Sequence, residues 1–181
     1  MLALHGTGVS QGISIGKAYV LRREQADISR YHIPRQLLEQ EVQRFEQAVD
    51  TARTQLRRIR TRIPADAPPE TAKLIDTHLL MLNDAMICQA PLAVIREQQR
   101  NAEWALKLQR DDLGSRFARM EDPYLRAKRI DVEQVIDLVL HNLVEPHNTN
   151  DNIDSDSQIL VANDLTPADA VMLTQIGRAH V

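Results

Sequence analysis

The chain has 181 residues, 43% of them apolar and 26% charged, with a net charge of -3 at neutral pH. That length accommodates one domain or two small subdomains, and the composition is that of a folded chain, which excludes a disordered or low-complexity polymer. Lys and Arg are interleaved with Asp and Glu, and aromatic residues make up only 3%, so no nucleic-acid surface is expected.

Apolar runs such as Leu79-Leu-Met-Leu82 are far too short to cross a bilayer, and the first residues hold no basic segment followed by an apolar stretch. No membrane insertion and a cytoplasmic location are expected. The single Cys88 cannot form an internal disulfide, and with no clustered Cys or His beside it no metal site is expected.

Along the chain, Gly12-Ile-Ser-Ile-Gly-Lys-Ala-Tyr-Val-Leu21 alternates apolar with small or polar residues and predicts a strand. The preceding Gly6, Gly8 and Gly12 lack both the spacing and the leading strand of a dinucleotide loop. From Pro34 to Ile63 the apolar positions Leu38, Val42, Phe45, Val49, Ala52, Leu56, Ile59 and Ile63 alternate by four and three, the seam of a helix about 45 Å long. Pro64-Ala-Asp-Ala-Pro-Pro69 cannot continue it.

A second helix is predicted from about Glu70, with Ala72, Ile75, Leu79 and Leu82 on one stripe. Leu74, His78, Met81 and Ala85 form another on a neighbouring face, more apolar surface than one-sided packing requires. Asn83-Asp84 and Pro91 predict a break before a short helix toward Gln99. Asn101 is placed to cap the next helix, which carries Leu106, Leu113, Phe117 and Met120. Asp122-Pro123 opens the last one, with Val132, Ile136, Val139 and Leu143 inward and an end near Pro146. A short buried-strand pattern, Gln158-Ile-Leu-Val-Ala162, follows a polar loop.

The expected architecture is therefore mainly α. An antiparallel bundle of four or five helices over 34–146 is inserted in a small, incomplete α/β subdomain made of 1–30 and 150–175.

Two motifs admit chemistry. Thr166-Pro-Ala-Asp169 reads as a capped helix start, with Thr166 at the N-cap, Pro167 in the first turn and Asp169 able to bond back. His78 is either a satisfied core residue or part of an exposed stripe with Leu74, Met81 and Ile87, which would be a surface for a protein partner.

Gly8-Val-Ser-Gln-Gly-Ile-Ser-Ile-Gly-Lys-Ala18, Asp76-Thr-His-Leu-Leu-Met-Leu-Asn-Asp84, Tyr124-Leu-Arg-Ala-Lys-Arg-Ile-Asp-Val132 and Ile159-Leu-Val-Ala-Asn-Asp-Leu-Thr-Pro-Ala-Asp169 occur in this order. Together they resemble the N-terminal region of the enzyme I family, the phosphoenolpyruvate-protein phosphotransferases of the bacterial sugar phosphotransferase system. The resemblance runs from about Gly8 to Gln175. It implies an HPr-binding helical subdomain set in a phosphohistidine subdomain, with Thr166 beside the phosphorylated histidine. It further implies a surface for the phosphocarrier HPr formed by Leu74, His78, Leu80, Met81, Asp84, Ile87 and Lys128, where His78 shapes the contact without doing chemistry. Ala85 and Met86 stand where the family often has acidic residues, which implies weaker electrostatic steering.

No Gly-Gly-x-x-Ser-His motif, the family's phospho-accepting site, occurs in the 181 residues, so no catalytic residue is expected in this chain. His180 lacks the paired glycines and the serine, and Ile176-Gly-Arg-Ala-His-Val181 reads as a non-native tail. No cofactor is expected here. Magnesium and phosphoenolpyruvate are implied only for the full-length enzyme. A non-catalytic scaffold or adaptor built on the same bundle is the alternative, and the flanking strand and Asp-Leu-Thr-Pro motif favour the enzyme.

Overall fold

The structure, a computed structural model, describes residues 15–21, 28–144 and 158–162. Strand β1 (Lys17–Leu21) is followed by a short 3-10 turn (Arg35–Leu37) and helices α1 (Leu38–Arg62), α2 (Pro69–Met81), α3 (Ala85–Cys88) and α4 (Ala90–Gln98). Helices α5 (Ala102–Ala118) and α6 (Pro123–Val144) then lead to strand β2 (Gln158–Ala162). Proline sets several of the boundaries. Pro34 precedes the turn into α1, Pro69 and Pro123 are the first residues of α2 and α6, and Pro91 lies in the first turn of α4. Each occupies a position whose backbone N–H has no helical acceptor to lose.

Helix α1 is the spine, packed against α2, α4 and α6, while α5 lies between α4 and α6. Its predicted seam is the observed one. Val42, Phe45, Val49, Ala52, Leu56 and Ile59 are buried, with Leu38 and Ile63 half-buried at the two ends. They join Ile75, Leu82, Leu92, Ile95, Leu106, Leu113 and the α6 residues Val132, Ile136, Val139 and Leu143 in one core. Helix α2 runs antiparallel to α1. Arg60 near the end of α1 donates to Asp76 at 2.9 Å, and Arg53, two turns earlier, donates to the Leu82 carbonyl just past the end of α2 at 2.7 Å. Helices α5 and α6 approach closely at Gly114, where a Cβ would lie 3.1 Å from a carboxylate oxygen of Glu133.

The segment entering the bundle is tied to the α4–α5 turn by a buried polar network. The Ile33 N–H donates to the Gln99 carbonyl at 2.7 Å, and the Asn101 N–H donates to the Tyr31 carbonyl at 3.2 Å. Fully buried Asn101 stands at the N-cap position of α5, yet its side chain does not cap the helix. Its amide instead donates to the Ser29 carbonyl at 2.8 Å and to Glu103 at 2.7 Å, and its oxygen accepts from the Tyr31 N–H at 3.2 Å. The vacated capping role falls to Glu41 of α1, which accepts from the Ala102 N–H at 2.7 Å. Arg44 completes the network with a two-pronged bond to Glu103 at 2.7 and 2.6 Å. Burial alone would push Glu103 up, but the bonds from Arg44, its own backbone and Asn101 hold it below its ordinary value.

Strands β1 and β2 pair in parallel, from Lys17 opposite Gln158 to Leu21 opposite Ala162. A parallel pair needs a long crossover, and here the crossover is the whole bundle, so the chain enters, builds the helices and returns. Val20, Ile159 and Val161 are exposed on this pair. Among the described residues no single helix is long and apolar enough to cross a membrane.

Candidate docking surface

Helix α2 ends where Asn83 and Asp84 interrupt the periodicity. The Asn83 side chain donates back to the Leu79 carbonyl at 3.0 Å, and Asp84 caps α3 by accepting from the Met86 N–H at 2.8 Å. The turn is held from beneath, because the Leu82 carbonyl accepts from Arg53 at 2.7 Å and from the Cys88 thiol at 2.8 Å. Burial pushes the Cys88 thiol above its ordinary value, which makes it a packing group rather than a nucleophile. This construction turns two large apolar side chains outward: Leu80 is 70% exposed and Met86 is 41% exposed.

On α6 the first turn is capped by Asp122, which accepts from the Tyr124 N–H at 2.7 Å. Tyr124 and Leu125 are exposed, at 67% and 41%. Lys128, one turn on, bonds Asp131 at 2.7 Å and lies 5.4 Å from the centre of the Tyr124 ring. The bond to Asp131 holds the Lys128 ammonium above its ordinary value. Helix α2 packs against α6, and His78 lies within electrostatic reach of Lys128 and Asp131. That imidazole is buried, with Nε2 lacking any hydrogen-bond partner. Burial pushes it below its ordinary value, Asp131 opposes the shift and Lys128 adds to it, so His78 is neutral at pH 7.

The predicted site residues are thus distributed unevenly. Leu80 and Asp84 are exposed, Leu74, Met81 and Lys128 are half-buried, and His78 and Ile87 are buried. Of the two readings of His78 the buried one holds, and Ile87, expected on an exposed stripe, is corrected to a core residue. Ile87 misleads because the helical period does not carry through the break at Asn83-Asp84, after which α3 starts its own turn. Met86, Tyr124 and Leu125 carry no periodic signal that marks them as exposed. Leu125 is seven residues before Val132 and so extends the α6 seam, but in the first turn it stays outside the core. Thr166 and His180 lie outside the described residues.

Among the described residues, no group of three His, Cys, Asp or Glu side chains could hold a metal ion. The exposed apolar side chains Leu80 and Met86 stand at the α2–α3 break, and Tyr124 and Leu125 in the first turn of α6, all on one helical bundle. Comparison with known proteins agrees with that architecture. Residues 5–128 match the family model "PEP-utilising enzyme, N-terminal", and the chain belongs to that family. It is 35% identical to a phosphoenolpyruvate-protein phosphotransferase of Cupriavidus necator, 34% to one of Listeria monocytogenes and 30% to one of Bacillus subtilis. These alignments cover 92%, 95% and 97% of this chain but only 30% of each relative, so the chain spans under a third of their length.

Two solved structures share the fold at 23% identity. An NMR solution structure of an Enzyme I protein has a TM-score of 0.73 over 90% of this chain and 65% of that one. An N-terminal domain of a nitrogen Enzyme 1 has a TM-score of 0.68 over 88% and 65%.

Proposed function

We propose that this chain is the N-terminal part of a phosphoenolpyruvate-protein phosphotransferase and that its bundle docks the phosphocarrier HPr on the surface formed by α2, α3 and α6. The observation that carries the reading is the outward set of Leu80, Met86, Tyr124 and Leu125, four large apolar side chains left uncovered on a chain of this family. The intact enzyme would take a phosphoryl group from phosphoenolpyruvate onto a histidine and pass it to the carrier, which divides one transfer into two covalent steps. Magnesium and phosphoenolpyruvate would be bound by the remainder of the enzyme. The parallel strands β1 and β2 would seed the phosphohistidine subdomain, with Thr166 next to the accepting histidine. A plain scaffold would account for the bundle but gives no reason for strands that pair across it.

Calorimetric titration of the chain with HPr tests this. Saturable one-to-one binding is expected, and absence of binding at protein concentrations near 1 mM would refute it, since contacts weaker than about 4 kcal/mol are not specific docking.

A further inference from the structure

The segment that enters the bundle crosses the α4–α5 turn as a short antiparallel bridge in which His32 stands opposite Arg100. Residues paired across such a bridge put their side chains on one face. Both reach Trp104, the single tryptophan of the chain. The Arg100 guanidinium lies over the indole, 4.3 Å from the ring centre, and the His32 ring stands edge-on to it with centres 5.4 Å apart. His32 is exposed, and Arg100 and Trp104 are half-buried. Arg100 Nε is enclosed without a hydrogen-bond partner, and among the described residues no carboxylate pairs with this guanidinium. Exposed Arg30, two residues before His32, also has no ion pair among them. Neighbouring cations differ: Arg44 is held by Glu41 and Glu103, and Arg96 lies 3.7 Å from Glu39.

We infer that Arg100, His32 and Arg30 form an anion site for a phosphate group, either free or carried by a small molecule. The site is built from the entering segment and the α4–α5 turn, not from α2, α3 or α6, so it stands independently of the docking reading above. A guanidinium stacked on an aromatic face keeps its in-plane N–H donors at its edge, where they grip an oxyanion through two parallel bonds. Stacking also fixes the side chain beforehand, so binding costs little further ordering. A carboxylate would use that fork alone. A phosphate ester carries close to two negative charges and three acceptor oxygens, enough to engage the imidazole and the second guanidinium as well. A nucleic acid would need a longer row of cations than these, and the chain as a whole is acidic, at -3.

Trp104 reports on the site directly, since no other indole contributes to the emission. The test is fluorescence titration of the full 181-residue chain with inorganic phosphate, glycerol 3-phosphate and acetate, with ionic strength held at about 0.15 M by NaCl. Phosphate is expected to give a saturable change with half-saturation below about 10 mM, and acetate to bind at least about tenfold more weakly. Arg100→Gln should weaken phosphate binding more than about tenfold, and Arg100→Lys, which keeps the charge and loses the fork, more than about threefold. Arg96→Gln should leave it unchanged. If Arg100→Gln alters the circular dichroism spectrum, the His32→Gln, Arg30→Gln double variant decides, since both side chains are exposed. An ester that binds more than about threefold tighter than free phosphate assigns the site to a phosphorylated small molecule, and equal binding assigns it to free phosphate. Equal affinity for acetate, full phosphate affinity in a folded Arg100→Gln variant or in the double variant, or no response up to about 50 mM phosphate overturns the inference. None of these outcomes touches the docking reading, which HPr titration tests separately.

Discussion

His78 carries a free-energy cost that solution conditions can expose. Its imidazole is buried without a partner for Nε2, faced by Asp131 and Lys128 from α6, and its folded value is depressed below the ordinary 6.5. Between 6.5 and the folded value the unfolded chain binds a proton that the folded chain does not, so this group's contribution is fully present above about pH 6.5 and is lost as pH falls toward the folded value. Urea unfolding at pH 8 and pH 6 should show the native chain losing stability over that step, and His78→Gln should lose less. An equal loss in both would mean that His78 is not the group responsible. Neighbouring Met81 makes a second residue-scale prediction. It is half-buried and packed against the core, whereas Leu80 projects outward. Met81→Asp should therefore cost about 1–3 kcal/mol of folding stability by desolvating a carboxylate, and Leu80→Asp under about 0.5 kcal/mol. Thermal melts of the two variants would check this. Which stripe of α2 faces α6 could not be read from spacing, because both stripes are apolar and only contact with α6 distinguishes them.

The helices were largely legible because their causes are local. The four-three seam of α1, the prolines that open α2 and α6 and the break at Asn83-Asp84 are all written in adjacent residues. The network around Asn101 was not, since it joins residues far apart in the sequence: Asn101 reaches Ser29, and Glu41 caps α5 across from α1. A capping residue read locally is replaced by a distant carboxylate, which frees Asn101 to hold the entering segment. Gln99 is similar, a non-glycine residue with a φ of 53° whose strain is offset where its carbonyl accepts from Ile33. Removing the Asn101 amide would strand the Ser29 carbonyl and the Tyr31 N–H, so Asn101→Ala should cost about 2–4 kcal/mol. Hydrogen exchange should show faster exchange at the Tyr31 and Ile33 amides, with the α1 seam still protected. Unchanged exchange at both amides would show that the entering segment is held by something else.

Among the described residues a helical bundle lies between two strands that pair in parallel. How far the strand-bearing part extends lies outside the described residues, which stop at Ala162. Its chemistry follows from what the chain contains. Without a Gly-Gly-x-x-Ser-His motif, and with His78 buried, incubation with labelled phosphoenolpyruvate and magnesium should leave no acid-labile phosphate on it. Phosphohistidine at His78 or His180 would contradict that. The surface between α2, α3 and α6 is proposed to dock a phosphocarrier. Its most direct test is amide chemical-shift mapping of the labelled chain titrated with unlabelled HPr. Saturable shifts concentrated at Leu80, Asp84, Met86, Tyr124, Leu125 and Lys128 are expected. Shifts confined to the far side of the bundle, around Arg110 and Asp137 where α5 meets α6, would contradict it.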